Sequence, residues 1–257
     1  MDSVQKDRYI EQREIFKMLK VENVVFPSSE QLEAVIRGMR NPMNSWDKSD
    51  SELKLMNEDD YELGEQPIYE YFVGNNDLNL MNRLFKGGTE HRKYLRMIPV
   101  YMDITAPLYW WKEFDTYKIG TVANSCSTMH KIQAKEFTIL DFSEDKLLLS
   151  IPKESEHVFD EDGNDITMAP NTLLGHVINH LNAYRKLFLE TKDKTYWWQM
   201  IQLLPSSYNQ KRTVMINYEV CARIIDQRSN HKLDEWHTLI DELKLLPYMN
   251  AIMKFDD

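Results

Sequence analysis

The segment that decides the fold is residues 203–236, which read LLPSSYNQKRTVMINYEVCARIIDQRSNHKLDEW. Asn217 follows Pro205 by twelve residues, and Arg228 follows Asn217 by eleven. Strand-forming residues precede Asn217 and helix-forming residues follow it, so the segment predicts a strand that runs into a helix. Two interpretations of the polar pair are open. Either the strand and helix are ordinary and Arg228 is a surface arginine, or the pair is placed to bind a ligand.

Other segments, in a definite order along the chain, bear on this choice. They are a helix at 32–40 with two arginines three apart, a short helix at 77–88 ended by glycines and followed by His91, a strand at 98–105 with a helix opened by Ala106-Pro107, and the tetrad Asn124-Ser125-Cys126-Ser127. An ordered series of segments that matches one family is harder to obtain by chance than one motif.

Together, these segments resemble the flavin-dependent thymidylate synthases over residues 30–245. In that family a Leu-Pro, a strand ending in Thr-Val-Asn and an arginine recur at the separations found here. The resemblance implies an α+β fold in which helices pack around a mixed β-sheet. It also implies a single domain over residues 1–257, with a polar loop or insertion at 41–66.

The signature of the family is altered in this chain. The family has Arg-His-Arg, seven residues and then a serine, and counting back from Ser127 gives Tyr117-Lys118-Ile119. Ser125 stands where the family has a glutamate, and Met129 stands where it has an arginine. The family also has an arginine two residues after the asparagine that matches Asn217, and here that position is Glu219. Arginine binds flavin and phosphate with a planar fork that lysine cannot reproduce. Either the ligand differs, or the lost contacts are partly replaced by other side chains, for which the candidates are Lys112, Lys118, His130, Lys131 and Arg212.

Carried over position by position, the resemblance assigns a role to each matching residue. Arg228 would contact the pyrimidine and, with Ser127, form the catalytic pair. The cofactor would be bound by His91, Lys118, Asn217 and Arg223. The nucleotide substrate would be bound by Asn124, Ser125, Ser127 and Arg228, with Ser127 at the phosphate.

The activity implied by the resemblance is methylation of dUMP. FAD would take hydride from NADPH, and the methylene group of methylenetetrahydrofolate would be transferred to C5 of dUMP and reduced, without a cysteine nucleophile. The family also implies a homotetramer with active sites between subunits. Two alternatives remain: an enzyme on the same scaffold that modifies another pyrimidine nucleotide, and a non-catalytic relative that binds a nucleotide or only assembles.

Composition limits the classes of partner. The chain has 257 residues and a formal net charge of −10, which argues against general binding to nucleic acids or membrane surfaces. Two cysteines, Cys126 and Cys221, form no disulfide framework and indicate a reducing compartment. The sequence has neither a run of ~20 apolar residues nor a signal peptide. A cytoplasmic protein that binds a small nucleotide is expected.

Several local patterns predict structure rather than chemistry. Residues 4–20 read as an amphipathic helix, and an Asp-Gly turn predicts a hairpin within 151–168. An aromatic helix is expected to lie in the core or at a subunit interface: Trp110, Trp111 and Phe114. A helix after Pro170 is expected to carry an apolar stripe: Leu173, Val177, Leu181, Tyr184 and Phe188.

Metal and nucleophile chemistry have little support. His176 and His180 lie four residues apart, but no intervening glutamate follows the metalloprotease pattern. The acidic run at 160–165 has a valine at the first calcium-ligand position. Nothing near Cys126 supplies a general base. No metal site is expected.

Overall fold

The computed structural model describes residues 19–57 and 66–255. Within these residues the strands are β1 (Lys20–Val25), β2 (Glu52–Leu55), β3 (Tyr69–Phe72), β4 (Pro99–Pro107), β5 (Thr121–Ser125) and β6 (Asn209–Asn217). The helices are α1 (Ser29–Arg40), α2 (Asn75–Lys86), α3 (Leu108–Phe114), α4 (Pro170–Thr191), α5 (Lys194–Leu203), α6 (Tyr218–Arg228), α7 (Asp234–Lys244) and α8 (Met249–Met253). Short 3-10 helices occur at Asn41–Met43, Trp46–Lys48, Arg92–Met97 and Ile139–Asp141. The helix predicted at 4–20 falls outside the described residues, except for its last two positions.

Four strands form one sheet in the order β1-β4-β6-β5. Alternation of buried and more exposed side chains explains its central strands, because successive side chains of a strand point to opposite faces. In β4 the alternating buried side chains include Val100, Met102 and Ile104, and in β6 they include Val214 and Ile216. The predicted strand at 98–105 and the predicted strand-to-helix passage at Asn217 are therefore confirmed, whereas Ala106 and Pro107 end β4 instead of opening the next helix.

The remaining two strands pair with each other. β2 and β3 are antiparallel, with Glu52 opposite Phe72 and Leu55 opposite Tyr69. β2 and two of the short 3-10 helices lie inside the stretch that the sequence predicts as a polar loop or insertion. The combination of helices with this sheet architecture confirms the α+β class.

The chain divides into two compact units. Of the described residues, the first comprises 19–20, 105–114 and 125–212, and the second comprises 21–57, 66–104, 115–124 and 213–255. The first has a core cluster of its own: Ile132, Phe137, Phe142, Leu174, Ile178, Leu181 and Met200. The core of the second includes Ile36, Leu80, Val100, Ile104, Val214, Ile216, Ile224 and Leu239.

The apolar stripe of α4 lies one position away from part of the prediction. Leu174, Ile178 and Leu181 are buried, whereas Leu173 is 53% exposed. Adjacent residues of a helix differ by about 100° in direction, so a stripe through 174, 178 and 181 leaves residue 173 on the flank. The prediction that Leu173 belongs to the stripe is therefore wrong.

The aromatic residues of α3 belong to the core of the first unit. Trp110 and Trp111 are at most 1% exposed, and their rings meet edge to face with centroids 4.9 Å apart. The indole nitrogen of Trp111 donates to the carbonyl of Gln210 at 2.9 Å. Of the two predicted locations, core or subunit interface, the structure confirms the core. They form no exposed apolar patch.

A buried carboxylate anchors α2 in the second unit. Asp77 accepts hydrogen bonds from Arg40 Nε, Ser49 Oγ and Ser51 Oγ, each at 2.6 Å. Burial by itself would raise the pKa of Asp77, but these three donors together hold that pKa below its ordinary value. Arg40, one of the two arginines of the first predicted helix, is thus a structural residue.

The segment 151–168 contains the predicted hairpin turn. Phe159 and Asp165 form an antiparallel bridge, and Gly163 takes a φ of +83° where the chain reverses. No helix in the described residues is long and apolar enough to cross a membrane. Nor do the described ranges contain a group of three or more His, Cys, Asp or Glu residues that could hold a metal ion.

Candidate functional site

Asn217 lies where β6 passes into α6. It is the N-cap of the helix, and its Oδ1 accepts the Val220 amide at 3.0 Å. Gly120 lies beside it at φ +82°, and a Cβ added to Gly120 would lie 2.4 Å from Asn217 Nδ2. The missing side chain of Gly120 therefore makes room for the amide. Within 19–57 and 66–255, Nδ2 has no hydrogen-bond partner, so it can donate to a ligand.

Arg228 lies at the other end of α6 and is held by aromatic residues. Its Nε donates to the hydroxyl of Tyr117 at 3.1 Å, and its Cζ lies 4.7 Å from the ring centroid of Trp236. The Tyr117 hydroxyl in turn donates to Gln227 Oε1 at 3.2 Å, and the rings of Tyr117 and Trp236 meet edge to face at 5.9 Å. Arg228 therefore has a defined orientation within the second unit.

A second arginine converges on the same phenol ring. Arg223 Cζ lies 5.2 Å from the centroid of the Tyr117 ring, and Arg228 Cζ lies 5.7 Å from it. The negative face of an aromatic ring attracts guanidinium groups and so offsets part of their mutual repulsion. Lys118, which follows Tyr117, is exposed. Two guanidinium groups thus converge on Tyr117, an arrangement suited to carbonyl oxygens or anions.

Glu219, at the position of a family arginine, pairs with Arg96. Two nitrogens of Arg96 donate to the two carboxylate oxygens, and a third contact runs from Arg96 Nη2 to the Thr89 carbonyl at 3.3 Å. The hydrogen bond to Glu219 is the largest contribution that raises the pKa of Arg96. The carboxylate is therefore neutralised by an arginine from another segment.

His91 stands at the start of the 3-10 helix that carries Arg96. Its side chain is exposed, and its ring packs beside Gly87, where an added Cβ would lie 3.2 Å from His91 Cδ2. No hydrogen bond from its ring to any described residue is found. The structure therefore places His91 at a surface.

The segment predicted to bind the nucleotide and its phosphate, residues 124–127, begins in β5 and continues beyond its end. Asn124 and Ser125 are the last residues of β5. In the first unit, Cys126 donates its amide to the Lys211 carbonyl at 2.9 Å, and Ser127 Oγ accepts the His130 amide at 2.9 Å. Asn124, Ser125 and Ser127 are all exposed. The Ser127 hydroxyl can still donate its own hydrogen to a phosphate oxygen.

The candidates for replacing the lost arginines differ in their surroundings. Arg212 stacks on Trp111, with Cζ 4.2 Å from the ring centroid, and donates to Gln210 Oε1 at 3.0 Å. Its guanidinium is therefore engaged inside the first unit. The other four candidates are exposed: Lys112, Lys118, His130 and Lys131.

The structure brings together some of the predicted residues and separates others. Arg223 and Arg228 both lie against the Tyr117 ring, whereas Asn217 lies about 16 Å from Arg228 along the axis of α6. A single small ring cannot span that distance. The two ends of α6 could therefore contact two different ligands, or two different parts of one ligand. The predictions did not include Gln227 and Trp236 at all.

Known proteins resemble this chain in structure and not in sequence. No family model matches the chain, and no curated protein matches it. Two structures of thymidylate synthase X from Helicobacter pylori, both with FAD and dUMP, match it with TM-scores of 0.56 and 0.53. They cover 93% and 92% of this chain and 97% of their own, at 17% and 16% identity.

A third match is the crystal structure of a UMP/dUMP methylase, PolB, from Streptomyces cacaoi, bound with 5-Br dUMP. It has a TM-score of 0.53 at 13% identity and covers 92% of this chain and 95% of that chain. The chain has the fold of the flavin-dependent thymidylate synthases. At identities this low the likeness concerns the fold alone, and the assignment of roles to the residues above is a separate question.

Proposed function

We propose that this protein is a flavin-dependent enzyme that methylates C5 of a pyrimidine nucleotide, with dUMP as substrate. The observation that carries the proposal is the orientation of Arg228 at the end of α6, between the Tyr117 hydroxyl and the Trp236 ring. A fixed, planar guanidinium can donate two parallel hydrogen bonds to a pyrimidine carbonyl region. Preorganised donors of this kind stabilise charge that develops on the ring during reaction. The fold shared with dUMP-bound proteins supports the same assignment.

The donor set at the start of α6 is compatible with a flavin. Asn217 Nδ2 has room beside Gly120 and can donate to a ring carbonyl. Exposed Lys118 and Arg223 can contact the phosphates, and His91 can contact the cofactor from the surface. When bound, FAD would supply the hydride chemistry, with NADPH as its reductant and methylenetetrahydrofolate as the carbon donor. The residues of the chain would bind and orient the rings.

The remaining assignments complete the proposal. Asn124, Ser125 and Ser127 would bind the nucleotide, with the Ser127 hydroxyl donating to its phosphate. The protein would act in the cytoplasm as a homotetramer. Because Trp110 and Trp111 are buried within the chain, the tetramer rests on the family resemblance and not on an exposed aromatic helix.

A second candidate function is methylation of another pyrimidine nucleotide, for example UMP. Two observations favour it. The signature has only Lys118 as a basic residue at its triplet, and the carboxylate of Glu219 stands where an arginine is expected. One fold match is itself described as a UMP/dUMP methylase. A non-catalytic nucleotide-binding or assembly relative is the third alternative.

The test is release of tritium from C5-labelled dUMP and C5-labelled UMP, with FAD, NADPH and methylenetetrahydrofolate supplied. We expect wild type to release tritium from dUMP and Arg228→Lys to lose most of that activity, because an ammonium cannot reproduce the guanidinium fork. Arg83→Lys, the same exchange at an exposed position of α2, should match wild type. Release from UMP alone would favour the second candidate. A protein that binds neither flavin nor nucleotide would contradict both enzyme assignments.

A further inference from the structure

Tyr117 occupies the first position of the altered triplet and is a buried hub of contacts. Its side chain is 3% exposed. Its hydroxyl accepts from Arg228 Nε at 3.1 Å and donates to Gln227 Oε1 at 3.2 Å. Because the hydroxyl hydrogen is directed to Gln227, an oxygen lone pair faces the arginine. Because a guanidinium can only donate, Arg228 sets the polarity of both hydrogen bonds.

Two contacts, a hydrogen bond and a ring contact, orient the guanidinium of Arg228. The hydrogen bond from Nε to Tyr117 fixes one edge of the group within its own plane. The ring of Trp236, with its centroid 4.7 Å from Cζ, packs against the group and limits tilting. Tyr117 also supports Trp236, because their rings meet edge to face. Loss of the hydroxyl would remove the first constraint and leave the second.

We propose that Tyr117 is a positioning residue that holds Arg228 in the orientation used to bind the pyrimidine ring. This inference rests on the function proposed above. In the resembling family an arginine stands at this position, so here the first position of the triplet contributes a scaffold for Arg228 instead of a cation. The chain thereby retains a planar donor at the pyrimidine although it lacks the basic triplet.

The physical effect is preorganisation. An arginine side chain has many rotamers, and a ligand that must select one of them loses affinity in proportion to the fraction of competent conformers. A guanidinium already held by Tyr117 avoids that loss. Removing the hydroxyl should therefore weaken nucleotide binding without altering the chemistry of the donors themselves.

The experiment is a double-mutant cycle read by calorimetric titration with dUMP. We expect Tyr117→Phe to weaken dUMP binding about 10-fold, and Arg228→Ala to weaken it further. In the Arg228→Ala background, Tyr117→Phe should have no additional effect, because there is no guanidinium left to position. Additive losses would show that Tyr117 acts through the fold in general, and that result would overturn the inference.

Two further variants supply an independent test and a matched control. Gln227→Met leaves an exposed position apolar and frees the phenol hydrogen, so a loss of about 2- to 3-fold is expected even if Tyr117→Phe is unstable. Tyr109→Phe removes a comparable hydroxyl, whose oxygen lies 3.2 Å from Ser143 Oγ, and should leave dUMP affinity unchanged. If wild type binds dUMP while Tyr117→Phe and Gln227→Met bind it equally well, the positioning role is wrong and the proposed function stands. If wild type binds neither dUMP nor UMP, both fail.

Discussion

Replacing Asn217 separates its role in the fold from its proposed role at the flavin. Its Oδ1 caps α6 by accepting the Val220 amide at 3.0 Å. Asn217→Ala removes this cap, and loss of an N-cap side chain costs about 1 kcal/mol of unfolding free energy. Serine caps helices about as well as asparagine does. Asn217→Ser should therefore stay within about 0.3 kcal/mol of wild type.

Flavin affinity should follow a different pattern from stability. Both variants lose the Nδ2 donor, which lies beside Gly120 and is proposed to contact FAD. Losing one buried polar contact costs about 1–3 kcal/mol, which corresponds to about a 5- to 150-fold increase in Kd. The alanine and serine variants should therefore bind FAD equally weakly, although only the alanine variant is less stable.

The assay combines FAD titration, followed by flavin fluorescence, with urea unfolding of each variant. Wild-type FAD affinity in Asn217→Ser would refute the reasoning, because that variant keeps the helix cap and lacks the amide. A loss of affinity in Asn217→Ala alone would show that the helix start matters and the amide does not.

Further predictions concern stability. Asp77→Asn should lower the free energy of urea unfolding by about 3 kcal/mol, because Arg40 is left as a buried, unpaired charge. As a control, Glu33→Gln breaks an exposed ion pair with Arg37 and should cost at most about 0.5 kcal/mol. Similar losses in the two variants would contradict this. The folded pKa of Asp77 is lowered, so its contribution is present at neutral pH and is lost as pH falls below about 4. The stability of Asp77→Asn should therefore fall less than that of wild type as the pH drops below about 4. The same pH dependence in both proteins would contradict this role of Asp77. Gly120→Ala should cost about 1–3 kcal/mol because φ is +82° and the new Cβ meets the amide that caps α6. Gly175→Ala in α4, where the Cβ meets nothing within 4 Å, should instead stabilise the protein by about 0.5–1 kcal/mol in thermal unfolding.

Much of the second unit could be predicted because its signals are local. The strand formers before Asn217 and the helix formers after it place the junction correctly, since β6 ends at that residue and α6 ends at Arg228. Periodicity also located α4, but a one-residue shift of its stripe misplaced Leu173. A helical pattern fixes the direction of a stripe only approximately when apolar residues are adjacent, as Leu173 and Leu174 are.

The pairings that build the site could not be predicted because they join distant segments. Arg40 and Asp77 are 37 positions apart, and Arg228 and Tyr117 are 111 apart. In the sequence, Tyr117 reads only as a missing arginine. Its value as a scaffold depends on Trp236 and Gln227, and no local pattern connects them. The positive φ of Gly120 likewise becomes meaningful only beside the Asn217 amide.

The most direct test of the proposed function is mass spectrometry of the nucleotide after incubation of the wild-type protein with dUMP, FAD, NADPH and methylenetetrahydrofolate. We predict a product heavier by one methyl group in place of a hydrogen, formed only when FAD is supplied and nearly absent with Arg228→Lys. Carbon-labelled methylenetetrahydrofolate should pass its label to that product. Unmodified dUMP and UMP, recovered from a protein that binds FAD and nucleotide normally, would contradict the assignment as a methylating enzyme.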